Sequence, residues 1–263
     1  MVPTSASIVP VALWNQIRQF TPARIGIEPV GVSQPTAANL DFQWDHAQAR
    51  DAVNASLDAA GLTPELHGLG LETLRLHSKA TDRDEYLQRP DLGRLLNDES
   101  QASFAGQTGS FDVVFVIADG LSATAVNRHA VPFLHSVLPA LRDNGWRIAP
   151  AVLVEQSRVA VGDDVAEGLG AEMVVVLIGE RPGLTSPDSL GVYLTWKPRQ
   201  ETRDSERNCI SNVRPEGLAY ADAASKLLYL MSESRRRCIS GVLLKEEADT
   251  AAFMGTDSVL ALN

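Results

Sequence analysis

Glu180 and Arg181 stand side by side in the turn Gly179-Glu180-Arg181-Pro182-Gly183, directly after six unbroken apolar residues, Met173 to Ile178. A carboxylate can accept hydrogen bonds from amides, and a guanidinium can donate them to an oxyanion. The apolar run reads as a strand buried on both faces, and the Gly/Pro turn leaves no room to continue it as a long helix. Charged residues at the exit of a buried parallel strand sit where open α/β sheets bind ligands. Exposed turns are also commonly charged, so the pair supports a site and a solvated turn equally.

Other groups carry similar double readings. Asp119-Gly120 follows the apolar run Phe111 to Ala118. With Ser122 and Thr124, this turn either offers amides and hydroxyls to a ligand at a helix start or caps that helix. In RVAVGDDVAEGLGAE, residues 158–172, Asp163 and Asp164 fall where a helix begins, which carboxylates favour without any functional reason. Val159 and Val161 read as core residues, with an apolar ligand contact as the alternative. Cys209 follows the polar stretch 199–207 and reads as a small hydrophobe, again with a ligand contact as the alternative. His46 falls beside the apolar face of its helix as a structural histidine.

The chain has no GxGxxG or Walker A motif, no Ser/His/Asp order and no paired catalytic carboxylates. Its five histidines are scattered, and its two cysteines, Cys209 and Cys238, form no CxxC, so neither a structural metal nor a disulfide framework is expected. A formal net charge of −10 argues against a partner held by phosphate neutralisation along nucleic acid. The short Arg235-Arg236-Arg237 run fits a helix C-terminus. No apolar stretch approaches the roughly 20 residues needed to span a bilayer, which points to the cytosol.

Positioning these groups requires an alternating fold. Strands are expected at 111–118, 147–155, 173–178, 190–196 and 208–213, and helices around Leu134, Val137, Leu138 and Leu141, at 158–169 and at 216–233. This order specifies an α/β domain over 111–263, flavodoxin-like or Rossmann-like, with a mostly parallel sheet. Residues 1–40 hold five of the fourteen prolines and read as an N-terminal arm with one amphipathic piece near Leu13 to Phe20. Residues 41–110 read as a helical region and linker. Within it, Asp41 caps a helix that uses Phe42, Ala49, Val53, Leu57 and Ala60 and ends at Gly61. Further helices are expected over 66–78 and 82–96, and a polar linker over 98–110.

Five segments together carry a family resemblance. FQWDHAQARDAV at 42–53, VIADGLSATAV at 116–126, RVAVGD at 158–163, LIGERPGLTSPDSLGVYLT at 177–195 and RNCISNVRPEGLAYADAA at 207–224 closely resemble the small subunit of ethanolamine ammonia-lyase, in the family's order. The resemblance implies an adenosylcobalamin-dependent lyase that converts ethanolamine to acetaldehyde and ammonia by a radical mechanism. It also implies a separate large subunit that holds the substrate site, so that this chain contributes no catalytic residue and walls part of the cobalamin pocket. Carried over residue by residue, the cofactor contacts implied are Val159, Glu180 and Cys209, with Arg181, Asp119, Arg207 and Asn208 as second choices. No DxHxxG spacing surrounds any histidine, so no axial cobalt ligand is expected from this chain. Glu28-Pro29 stand where relatives show a GRAG-like turn, which bears on pairing with the large subunit. A location in the cytosol or inside a bacterial microcompartment is compatible with the family. The competing reading is a noncatalytic flavodoxin-like assembly subunit that binds a nucleotide or flavin.

Overall fold

The computed structural model describes residues 11–21, 23–27, 32–104 and 109–245. The Glu28-Pro29 departure, the first ten residues and part of the expected linker lie outside the described residues. The chain runs through α1 (Val11–Ile17), α2 (Thr36–Asn54), α3 (Ala59–Gly68), β1 (Thr73–His77), α4 (Arg83–Gln88), α5 (Asp98–Ala102), β2 (Val114–Ala118) and α6 (Ala123–Asp143). It continues through β3 (Ala151–Glu155), α7 (Val161–Leu169), β4 (Met173–Gly179), β5 (Leu190–Trp196), β6 (Asn208–Val213) and α8 (Tyr220–Arg237).

One six-stranded sheet has the order β1-β3-β2-β4-β5-β6. The pairs β1/β3, β3/β2 and β2/β4 are parallel, whereas β4/β5 and β5/β6 are antiparallel. Counted from β2, the spatial order is that of a doubly wound sheet. It departs from that plan in the direction of β5, because β4, β5 and β6 are joined without α-helical crossovers. Central strands alternate between two cores with period two. Met173, Val175 and Leu177 of β4 face α3, α6 and α8. Val174, Val176 and Ile178 face α7.

The N-terminal third departs from the sequence reading in three places. The long helix begins at Thr36 after Pro35, not at Asp41, and stops at Asn54, because Asp58 starts a second helix by accepting the Gly61 N–H at 2.9 Å. Phe42 and His46 are therefore exposed and stack on each other rather than packing into a core. Residues 73–77, expected to be helical, form the edge strand β1, since Leu74 and Leu76 alternate along a backbone that pairs with β3 in full register. Part of the expected linker is α5, capped by the Asn97 side chain, which accepts from Ser100 N–H at 2.8 Å.

The C-terminal half follows the pattern closely. β5 and β6 occupy the residues expected of them, and α8 closes with Arg235, Arg236 and Arg237 in its last turn.

Candidate functional site

The strands β2, β3 and β4 run in one direction, so their carboxyl ends lie along one edge of the sheet. The loop after β2 leads to α6 on one face, and the loop after β3 leads to α7 on the other. A crevice must open where the two loops part. It is a cleft of about 470 Å³ whose floor includes Gly120, Leu121, Ile178 and Gly179.

Two glycines let the backbone close that floor. Gly120 has φ +58, and a Cβ there would stand 2.4 Å from the Gly179 carbonyl oxygen. A Cβ on Gly179 would meet the Ser122 carbonyl oxygen at 2.0 Å. Leu121 N–H donates to the Gly179 carbonyl at 2.9 Å, which ties the β2 loop to the end of β4. Only glycine tolerates both the left-handed backbone and this approach.

Asp119 stands behind the floor and is buried. Its carboxylate accepts the N–H groups of Gly120 (2.8 Å), Ser157 (2.9 Å) and Gln156 (2.7 Å), and so locks the β2 loop to the β3 loop. Burial raises its pKa above the ordinary carboxylate value, against these donors and the nearby Arg83 guanidinium. Asp119 is a brace for the cleft rather than part of its lining. Ser122 caps α6 by accepting from Ala125 N–H, which is the structural one of its two readings.

Val159 and Glu180 both line the cleft. Glu180 Oε1 accepts the Ser211 hydroxyl at 2.6 Å, and Oε2 accepts the Ser189 hydroxyl and the Asn212 N–H, the latter at 3.2 Å. Three donors from the 181–189 loop and β6 thus orient a carboxylate that still has acceptor capacity free. Arg181 lies on the exposed rim.

Cys209 is not in the lining. It pairs across strands with Tyr193, whose ring does line the cleft. Desolvation against its neighbours pushes the Cys209 thiol above its ordinary value. The Tyr193 phenol is likewise pushed up, by burial first and then by Cys209.

Arg207 lines the cleft while holding it together. Its Nη1 and Nη2 donate to the two oxygens of Asp163 at 2.7 and 2.6 Å, and also to Thr195 Oγ1 and the Thr202 carbonyl. This buried pair ties the first turn of α7 to the start of β6. Burial raises the Asp163 pKa, with Arg207 pulling the other way. Asn208 lies elsewhere, bonded to the Gly241 and Leu244 carbonyls and the Gly241 N–H.

Tyr86, Pro90 and Arg94 also line the cleft. They come from the stretch read only as helical, and nothing in its spacing marks them. Tyr86 is fully buried, and burial pushes its phenol up to about 12. Arg158 was the one missed residue with a signal, since it opens the RVAVGD segment that carries Val159.

The lining includes four arginines against two carboxylates, Glu180 and Asp204. Among the described residues, no three His, Cys, Asp or Glu side chains converge to hold a metal ion. The cleft thus offers apolar surface, acceptors and cationic donors. Such a lining suits a large neutral or anionic ligand bound by one side.

The profile of the family described as ethanolamine ammonia-lyase light chain (EutC) matches residues 12–245. The chain is 55% identical over 253 residues to the ethanolamine ammonia-lyase small subunit of Pseudomonas syringae pv. tomato, covering 95% of this chain and 88% of that one. It is 58% identical to the small subunit of Ralstonia nicotianae over 240 residues, covering 90% and 89%. Against the small subunit of Azotobacter vinelandii the identity is 56%, covering 93% and 92%. With nearly the whole described chain matched, cleft and edge strands included, the protein belongs to the ethanolamine ammonia-lyase light chain family.

Proposed function

We propose that this chain is the small subunit of an adenosylcobalamin-dependent ethanolamine ammonia-lyase and forms one wall of its cobalamin pocket. A large subunit would supply the substrate site and the opposite wall. The observation that carries this reading is the one-sided cleft at the carboxyl edge of β2, β3 and β4, with Val159 and Glu180 in its lining.

The residues fit such a group. Leu121, Val159, Ile178 and Tyr193 present the apolar and aromatic surface that a corrin face would need. Gly120 and Gly179 let it approach backbone. Glu180 is held by Ser189, Ser211 and Asn212 with capacity left to accept from a peripheral amide. Cys209 would support the contact through Tyr193. The open cleft is far smaller than a corrin with its nucleotide tail, which is why a second wall is needed.

When bound, adenosylcobalamin supplies radical chemistry for converting ethanolamine to acetaldehyde and ammonia, while the protein binds and shields it. This chain orients the cofactor and excludes water from one side. It does not hold the substrate: ethanolamine is a cation at neutral pH, and the excess of guanidinium groups in the cleft repels it.

Docking falls to another surface. Leu13, Phe20, Leu40 and Trp44, on and beside α1 and α2, are large apolar side chains left exposed, and we assign this N-terminal arm to contact with the large subunit. No described helix is long and apolar enough to cross a membrane, and a cytosolic or microcompartment location is part of the same proposal.

Mixing the chain with its large subunit, adenosylcobalamin and ethanolamine tests the reading. Acetaldehyde should be released. Release no greater than from the large subunit alone would overturn it.

A further inference from the structure

Among the described residues, two cleft arginines, Arg158 and Arg181, have no carboxylate partner, and of these only Arg158 is held in place away from the exposed rim. Arg207 is spent on Asp163, and Arg94 stands 3.3 Å from Asp204. Arg83, behind the cleft, donates to the Val53 and Gly120 carbonyls and lies 3.8 Å from Asp119. Among the described residues, Arg158 has no carboxylate within 4.0 Å and no side-chain hydrogen bond, and its Nε is buried without a partner.

Its position is nevertheless fixed. The guanidinium carbon lies 4.4 Å from the centroid of the Tyr86 ring. That ring is itself fully buried, with its hydroxyl donating to the Ser157 carbonyl at 3.2 Å. The Arg158 N–H donates to the Gly93 carbonyl at 2.7 Å, and its own carbonyl accepts the Val161 N–H at 3.0 Å. Backbone and ring plane thus hold a guanidinium in the cleft with its N–H donors unspent.

A half-buried cation without an anion is a poor arrangement until a ligand completes it. A stacked guanidinium presents a planar fork that matches two oxygens of a phosphate. General anion attraction does not explain it, because the chain carries a formal net charge of −10. We infer that Arg158 binds the phosphodiester of the cobalamin nucleotide tail, the anionic group on that cofactor's periphery. This rests on the cobalamin reading above. The neutral corrin amides fall to Glu180 and the backbone, and Arg181 on the outer rim adds charge without a fixed geometry.

The test compares cobalamin with cobinamide, which keeps the corrin and its amides but lacks the phosphodiester and base. Equilibrium binding of each to the complex of this chain with its large subunit is read from the corrin absorbance, for the unaltered chain, Arg158→Gln and Arg158→Lys. Arg158→Gln should weaken cobalamin about 10- to 100-fold and leave cobinamide unchanged. Arg158→Lys keeps the charge but loses the fork, and should fall between. Inorganic phosphate should compete with cobalamin and not with cobinamide.

Equal weakening of both corrins by Arg158→Gln would make Arg158 a packing residue and overturn the inference, as would no change in either. Arg158-dependent phosphate binding with cobalamin affinity intact would assign the site to a free anion and also overturn it. If the unaltered complex retains cobalamin no better than the large subunit alone, the cobalamin reading itself fails. Retention without dependence on Arg158 sinks only the inference.

Discussion

The two faces of the sheet are built differently. On one, α3, α6 and α8 cover the strands, and Phe115, Ile117, Phe133, Leu134, Leu177 and Leu227 interlock with almost no exposed area. On the other, α7 lies over Val114, Val116, Val174 and Val176 with Leu76, Leu96 and Phe104 at its flanks. Around the cleft, buried charge is braced in pairs: Asp163 with Arg207, Asp119 with Arg83, and Tyr86 beneath two guanidiniums. Complete apolar cover makes a core, and partial cover bordered by polar braces leaves a cleft.

If the packed face carries the stability, truncation there should be costly. Phe133→Ala should destabilise the chain by about 3 to 5 kcal/mol in denaturant unfolding, through lost burial and the cavity left behind. A loss under about 1 kcal/mol would mean that the face relaxes around the gap and is not the rigid core described. The opposite profile is expected in the cleft. On the cobalamin reading proposed above, Glu180→Ala should leave folding stability nearly unchanged but weaken cobalamin retention in the assembled complex by about 1 to 3 kcal/mol. Unchanged cofactor affinity would remove Glu180 from the site.

The smallest effect concerns the strap joining the two regions. Asp188 ties the loop that carries Glu180 to the packed face through Arg128 (3.0 Å), His129 (3.4 Å) and Arg214 (3.5 Å). Burial pushes its carboxyl up, but the Arg128 hydrogen bond and His129 outweigh it and hold the pKa below the ordinary value. A depressed folded value stabilises above the unfolded carboxylate pKa of about 3.9, and the gain is lost as pH falls through the folded value. Asp188→Asn should therefore be less stable than the unaltered chain at pH 7, with the gap closing at lower pH. A gap of equal size at pH 7 and about pH 2 would show that the strap works by packing instead.

Periodicity carried far in this chain where a segment's environment was uniform. The unbroken run Met173 to Ile178 could only be a doubly buried strand, and LGVYLTW and NCISNV emerged as β5 and β6 at their expected residues. It failed at β1, because five residues following a helix are too few for an alternating pattern to outweigh a helical one. Pairing with β3 settles their state. It failed again at Phe42, whose apolar character suggested a core face that the chain, within the described residues, leaves exposed.

The candidate site divides in the same way. Placement at a strand end suggested Glu180 as readily as a solvated turn, and Val159 read as core; the family resemblance pointed to both as ligand contacts, and the fold puts both in the cleft lining. No spacing could show that Tyr86 would lie under Arg158, some seventy positions along the chain, or that Cys209 would reach the cleft only through Tyr193. Sequence by itself determined the alternation of strands and helices in the C-terminal half and the strand exits where charge is placed. Tertiary structure alone decided which charges cancel. Asp163 meets Arg207 and Asp119 meets Arg83, while Arg158 meets only an aromatic ring. The reason is physical: local pattern sets burial and secondary structure within a few residues, whereas charge compensation depends on distances between segments that only the folded sheet brings together.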